Sequence, residues 1–262
     1  MNRERRYMNK SEISQSSSIN MSKINDDMSR DQITAFYEKS QDENKKRPGV
    51  SGTKVRVLKA ALRCFSQYGY ESTTTRMIAK EADVNLSAIS FHFGTKEKLY
   101  EDCMRYVGDI IGGYYRTRTS EVEKDFADGT MTKEKALSHL EKLINVQIKM
   151  TFSKNNIEEK EIVYQDQRAS AGDHSLQKTV YYSIEHTIAK LIQFVSGVSE
   201  DEATIASRHI NGGIVAFGEH QDLMEPYLQR SFEDPEALKL AQQMILEDSM
   251  AIVRNLIEKN KA

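Results

Sequence analysis

From Thr53 to the C-terminus, apolar residues return at three- and four-residue steps almost without interruption. That spacing lays a stripe along one side of a helix, and it does not fit a strand, whose side chains alternate faces at every residue. Val55, Leu58, Ala61, Leu62 and Phe65 form the first stripe, and Gly69 supplies a C-terminal stop. Met77, Ile78, Ala79 and Ala82 form a short second stripe, with Thr73 or Thr74 as its cap. Asp83-Val84-Asn85 breaks it, and a third short helix follows over Leu86 to His92 with Ile89 turned inward. Gly94-Thr95 ends that helix, and Thr95 caps a long one that opens on Lys96, Glu97 and Lys98 and runs to Thr119 or beyond. Further helices are expected near Lys133 to Phe152, Ile157 to Ala169, Leu176 to Val195, Glu202 to Phe217 and Pro235 to Glu258. Asp128-Gly129, Ser170-Ala171-Gly172 and Ser196-Gly197 provide the turns between them. No Asn-Gly or Asp-Gly hairpin sits between alternating apolar runs, so the expected fold is all-α.

The first fifty residues differ. Stretches such as SEISQSSSIN and QDENKKRPGV hold few apolar anchors and are expected to stay largely disordered, with one possible amphipathic helix over Asp31 to Ser40. Two cysteines, Cys64 and Cys103, make no disulfide framework and no paired-cysteine metal motif. There is no run of 18 apolar residues and no apolar leader at the N-terminus, so a cytoplasmic protein that does not enter a membrane is expected. No nucleophile elbow, phosphate loop or HExxH motif is present, and the histidines lack metal-ligand spacing; the expectation is a non-enzyme without cofactor or metal.

Charge is unevenly spread. Lys45 to Lys98 holds eleven basic residues against four acidic ones, a net +7; the whole chain carries −2, so the remainder carries −9. A basic three-helix unit joined to an acidic helical body divides labour: a phosphate backbone attracts the first and is repelled by the second. Two short helices across a tight turn suit a helix-turn-helix, whose second helix enters the major groove. Lys45-Lys46-Arg47, ahead of the first helix, is either a flexible arm that tracks DNA or a solubilising cluster.

The stretch ALRCFSQYGYESTTTRMIAKEADVNLSAISFHFGTKEKLYEDC resembles the N-terminal DNA-binding domain of TetR-family transcriptional regulators. Ala61, Phe65, Gly69, Tyr70, Thr73, Thr74, Ile78, Ala79, Ala82, Val84 and the run from His92 to Leu99 carry the resemblance. It implies that Thr74, His92 and Lys96 grip DNA phosphates. It also implies that Asn85, Leu86, Ser87, Ala88, Ser90 and Phe91 lie on or beside the recognition helix. There Asn85, Ser87 and Ser90 can read base edges, and Ala88 or Phe91 can meet a thymine methyl. His92 also admits a packing role between helices, and Phe91 one in the core or at an interface. Asp83 stands where the family often has Gly, so either the turn holds Asp in a left-handed conformation or its shape differs. Ser90 replaces a frequent Tyr, which points to a different operator.

For the body, the family implies dimerisation and a pocket for a small-molecule effector. The organisation expected is a polar extension over residues 1–50, a helix-turn-helix domain over 51–98, and a helical ligand-binding and dimerisation domain over 99–262. Gly212, Gly213 and Gly218 lie in a small-residue helix with Ala203, Ile205, Ala206, Ile210, Ile214, Val215 and Phe217. A glycine within a helix costs about 1 kcal/mol relative to Ala, so three suggest that another backbone comes close. Paired with the apolar face of the last helix, this gives a four-helix dimer interface, or else both helices pack within one subunit. His209, Gly213, Val215, Ala216 and Phe217 also resemble the CecR-like subgroup. Tyr106, Gln147, Met150, Tyr164, Gln165, Arg168, Tyr181, Tyr182 and His186 are candidates to line the pocket, as polar, aromatic or sulfur groups on helices. The function implied is a homodimeric regulator, a repressor released from a palindromic double-stranded DNA operator by its effector. The alternative is a ligand-independent DNA-binding factor whose body only dimerises.

Overall fold

A computed structural model of the chain describes residues 50–153, 157–168 and 182–260. The N-terminal extension with Lys45-Lys46-Arg47, the turn at 170–172 and Tyr181 lie outside the described residues. Every regular element among the described residues is a helix. They are α1 (Val50–Ser72), α2 (Thr75–Glu81), α3 (Leu86–Phe93), α4 (Lys96–Ala127), α5 (Lys133–Phe152), α6 (Ile157–Arg168), α7 (Tyr182–Ser196), α8 (Glu200–Glu219), α9 (Gln221–Leu228) and α10 (Pro235–Lys259). None is long and apolar enough to cross a membrane. The chain divides into two compact units at Gly113/Tyr114, so α4 contributes residues to both.

In the first unit α1, α2 and α3 pack on one another. Val57, Leu58, Ala61 and Phe65 on α1 meet Ile78, Ile89 and Leu99 in a core from which water is excluded. Gly69 has φ 75° and ψ 167°, a conformation that a residue with a Cβ adopts at a cost, and it breaks α1 one turn before its end. The buried Thr73 hydroxyl points back at this break, 3.0 Å from the Cys64 carbonyl and 2.7 Å from that of Gly69. It thereby supplies a partner for carbonyls that the interrupted helix leaves over. Cys103 on α4 is fully buried, with its thiol 3.8 Å from the Leu58 carbonyl, and burial pushes that thiol well above the usual range.

The second unit is built on four mutually packed helices, α5, α7, α8 and α10. Leu140, Leu143, Ile144, Ile148, Ile188, Leu191, Ile192, Ile210, Ile214, Ile245 and Val253 make its core. Helix starts are capped as their sequences demand. Thr132 accepts from the Lys135 N–H, and Ser199 with Glu202 forms a reciprocal capping box. Asp125 accepts from the Thr130 hydroxyl at 2.6 Å and from Lys135 at 2.9 Å, and lies 3.0 Å from His139 Nε2. Those partners hold its carboxyl well below the ordinary range and fasten the end of α4 to α5. α9 was not expected, since QDLMEPYL contains Pro226; it ends at Gln229 in the left-handed region. Glu225 then accepts from Ser231 Oγ and the Phe232 N–H, which returns the chain to a buried Phe232.

The three glycines of α8 behave differently. A Cβ on Gly218 would stand 1.9 Å from Thr151 Cγ2, so α8 passes α5 there at a separation only glycine permits. A Cβ on Gly212 or Gly213 would meet nothing within 4 Å among the described residues. Gly218→Ala is therefore expected to destabilise the protein by about 1–3 kcal/mol in urea unfolding, the cost of overpacking a fitted contact. Adding Thr151→Ala should recover most of that loss.

Candidate DNA-binding site

The site is built on α2, the turn after it, α3 and the start of α4. Thr74 is the N-cap of α2: its backbone is extended and its hydroxyl oxygen accepts from the Met77 N–H at 3.2 Å. Accepting uses a lone pair and leaves the hydroxyl proton of this exposed residue available to an outside acceptor such as a phosphate oxygen. α2 closes through Ala82 N–H to Ile78 and Val84 N–H to Ala79. Asp83 has φ 50°, so the turn keeps its shape with Asp in the left-handed conformation.

α3 is short and two-faced. Ile89 and Phe93, four residues apart, are buried, whereas Leu86, Ser87, Ser90 and Phe91 are exposed. Asn85 is the N-cap residue, but its side chain makes no capping bond and is exposed. Ala88 is half-buried at the edge of the exposed face. Phe91 is 77% exposed and is not packed into the core of the described residues; its ring meets His92 edge-on at 5.0 Å. His92 is half-buried between that ring and Phe93, whose centroid is 6.3 Å away.

Lys96 does more than carry charge. Its ammonium donates to the Tyr70 carbonyl at 3.0 Å and to that of Thr73 at 3.2 Å, and sits 4.2 Å over the Tyr70 ring. Two of its three protons are thus committed to the turn that leads into Thr74. The Tyr70 hydroxyl donates to Glu97 at 3.0 Å, and the Tyr70 ring meets Phe65 and Tyr100. Desolvation first, and the hydrogen bond to Glu97 second, push the Tyr70 phenol up to about 12. The Glu97 carboxyl lies below its usual range, held chiefly by its own backbone N–H and by Thr95 and Tyr70. The first turn of α4 is therefore tied to the α1–α2 turn by three hydrogen bonds and an aromatic cluster.

The cations outside α3 are unequally committed. Arg63 pairs with Glu81 at 2.8 Å, and Lys54 lies 5.6 Å over the Phe93 ring. Arg76 and Lys80 on α2 and Lys98 on α4 are exposed.

Of the described residues expected to line an effector pocket, Tyr106 is buried in the first unit and the rest belong to the second. Met150, Tyr164 and Gln165 are half-buried, with Gln165 donating to Glu161, and His186 is exposed. Arg168 and Tyr182 sit at the ends of α6 and α7. Gln147 is buried and joins a polar network that sequence reasoning missed. It donates to Asn211, whose amide donates to Glu185; Arg208 also donates to Glu185 at 2.7 Å, and Ser207 to the Glu185 carbonyl at 2.9 Å. The available signal was Ser207 and Asn211 at a four-residue step on the same face of α8 as Ala203, Ile210 and Ile214. Among the described residues no cluster of three His, Cys, Asp or Glu is placed to hold a metal.

Residues 57–103 match the profile of the bacterial regulatory proteins of the tetR family. The HTH-type transcriptional dual regulator CecR of Shigella flexneri is 28% identical over 167 residues, which span 63% of this chain and 74% of that protein. The HTH-type transcriptional regulator RutR of Escherichia coli K12 is 38% identical over 66 residues, 25% of this chain and 31% of its own length. The crystal structure of HlyIIR, a hemolysin II transcriptional regulator, superposes with a TM-score of 0.49 at 18% identity, over 80% of this chain and 99% of that one.

If Lys96 holds the α1–α2 turn, Lys96→Ala should cost about 1.5–3 kcal/mol of stability, the range for hydrogen bonds to a charged group, with no DNA present. Urea unfolding of the full chain measures this, and an unchanged midpoint would reduce Lys96 to a phosphate contact.

Proposed function

We propose, for a chain that belongs to the tetR family of bacterial regulatory proteins, a homodimeric repressor that leaves a palindromic operator when a small molecule binds its body. The chain is a transcriptional regulator with a DNA-binding helix-turn-helix. The observation that carries the DNA half is α3, which turns Leu86, Ser87, Ser90 and Phe91 outward in a unit whose exposed cations lie on the neighbouring helices α1, α2 and α4. A short helix with an exposed face of this kind has its natural complement in a major groove, while Thr74, His92 and part of Lys96 serve the phosphates on either side. Operator binding by a cytoplasmic protein follows as part of the same reading.

Dimerisation is supported by apolar surface in the second unit. Ile205 and Phe217 on α8, Leu223, Tyr227 and Leu228 on α9, and Leu240 and Met244 on α10 are all exposed, Tyr227 at 90% and Ile205 at 69%. Large apolar side chains gathered on consecutive helices mark an interaction surface. The open flank of Gly212 and Gly213 gives a second backbone room to approach. Effector release would act through α4, a single helix that begins at the Lys96 clasp and ends at Asp125 and Ala127. A complete switch in either direction requires about 10⁴-fold difference in effector affinity between the two states. The effector itself rests on the family resemblance, with Gln147, Met150, Tyr164, Gln165, Arg168, Tyr181, Tyr182, His186 and Tyr106 as the residues to test.

Two outcomes are expected. In a gel-shift titration on DNA upstream of its own gene, the chain should bind specifically. The affinity should fall steeply with salt, and Thr74→Ala should weaken binding without altering which sequence is chosen, as a phosphate contact does. In sedimentation, the wild type should run as a dimer, and Ile205→Glu with Phe217→Glu should give a folded monomer. A dimer that survives both changes would place the interface elsewhere.

A further inference from the structure

The exposed face of α3 carries an unusual balance of chemistry. At about 100° per residue, Leu86, Ser90, Ser87 and Phe91 follow one another around the helix in that order, so two hydroxyls stand between two apolar groups. Phe91 is 77% and Leu86 42% exposed, and Asn85 precedes them with its carboxamide outward and uninvolved in capping. The sequence LSAISFHF holds no Lys or Arg. Among the described residues the first unit's exposed cations lie on α1, α2 and α4, and one of them, Arg63, is occupied by Glu81.

Base edges in the major groove present donors, acceptors and one apolar group, the C5-methyl of thymine. Guanine is most often read by a bidentate Arg or Lys, which α3 lacks; Asn pairs bidentately with the N6 and N7 of adenine. Serine hydroxyls donate and accept, so they fit any base and set no preference. An exposed Phe on a helix that faces the groove gains only where it covers another apolar group.

The geometry points to an operator half-site read through A·T pairs: Phe91 and Leu86 cover thymine methyl groups at two separate base pairs, and Asn85 takes an adenine edge. The inference rests on the DNA-binding reading above. Phe91 is then the specificity-determining side chain of this chain's recognition helix, and the cations of α1, α2 and α4 supply affinity without sequence preference.

Selection of the full-length chain on a random duplex pool, followed by base-analogue scanning of the preferred site, tests this. The selected half-site should have A·T pairs opposite α3. Replacing a contacted thymine by deoxyuridine, which removes only the methyl, should weaken wild-type binding about fourfold, the factor that burial of one such group supplies. Phe91→Ala should bind more weakly than wild type and be indifferent to deoxyuridine at that one position, while Phe91→Leu retains part of the response. Because Phe91 is exposed, both variants should keep the wild-type circular dichroism spectrum and unfolding midpoint. A site that tolerates deoxyuridine at every thymine, one that is weakened only by 7-deazaguanine, or a Phe91→Ala variant that binds as wild type would overturn the inference and leave the regulator reading intact. A pool that yields no preferred sequence would overturn both.

Discussion

The arrangement of the DNA-facing unit depends on one ammonium group. Lys96 opens the long helix α4, yet it turns back to the Tyr70 and Thr73 carbonyls and lies over the Tyr70 ring. These carbonyls follow the break at Gly69, where the helical ladder of α1 cannot supply partners. The same turn delivers Thr74 to the N-cap of α2. The ammonium of Lys96 is thus tied to the turn that sets the position of Thr74. Tyr70, joined to Glu97 and to the rings of Phe65 and Tyr100, closes the clasp from the other side.

α4 is fastened by side-chain chemistry near each of its ends, each set lying within its own unit. α4 runs without interruption from Lys96 to Ala127, where Asp125 is held by Thr130, Lys135 and His139. A helix fastened at both ends by hydrogen bonds and ion pairs transmits displacement better than a loop, because its own backbone bonds resist bending.

Much of the first unit was legible because its determinants are local. Gly69, Thr74, Thr95 and the inward Ile89 each follow from a residue type in its immediate context. Asp83 left two options open, since Asp tolerates a left-handed backbone less readily than Gly; the structure selects that conformation. The inward turn of Lys96 was not legible, because it depends on carbonyls more than twenty positions away. The same holds for the Gln147–Asn211–Glu185 network, which links three helices distant in sequence. α9 was hidden by Pro226, which argues against a helix yet is accommodated in an eight-residue segment. Of the three glycines, sequence identified a close approach but not its partner: Gly218 meets Thr151 of the same chain, and Gly212 and Gly213 have no such neighbour among the described residues.

In the function proposed above, DNA is met by α3 and the start of α2, with the α4 clasp as their support. Hydrogen–deuterium exchange of the full chain, alone and saturated with its selected DNA, tests it most directly. The account predicts that exchange slows together over Thr74 to Phe93 and over the Tyr70–Thr73 and Lys96–Tyr100 segments of the clasp. Slowing confined to α8, α9 and α10, with α3 exchanging as in the free chain, would contradict it.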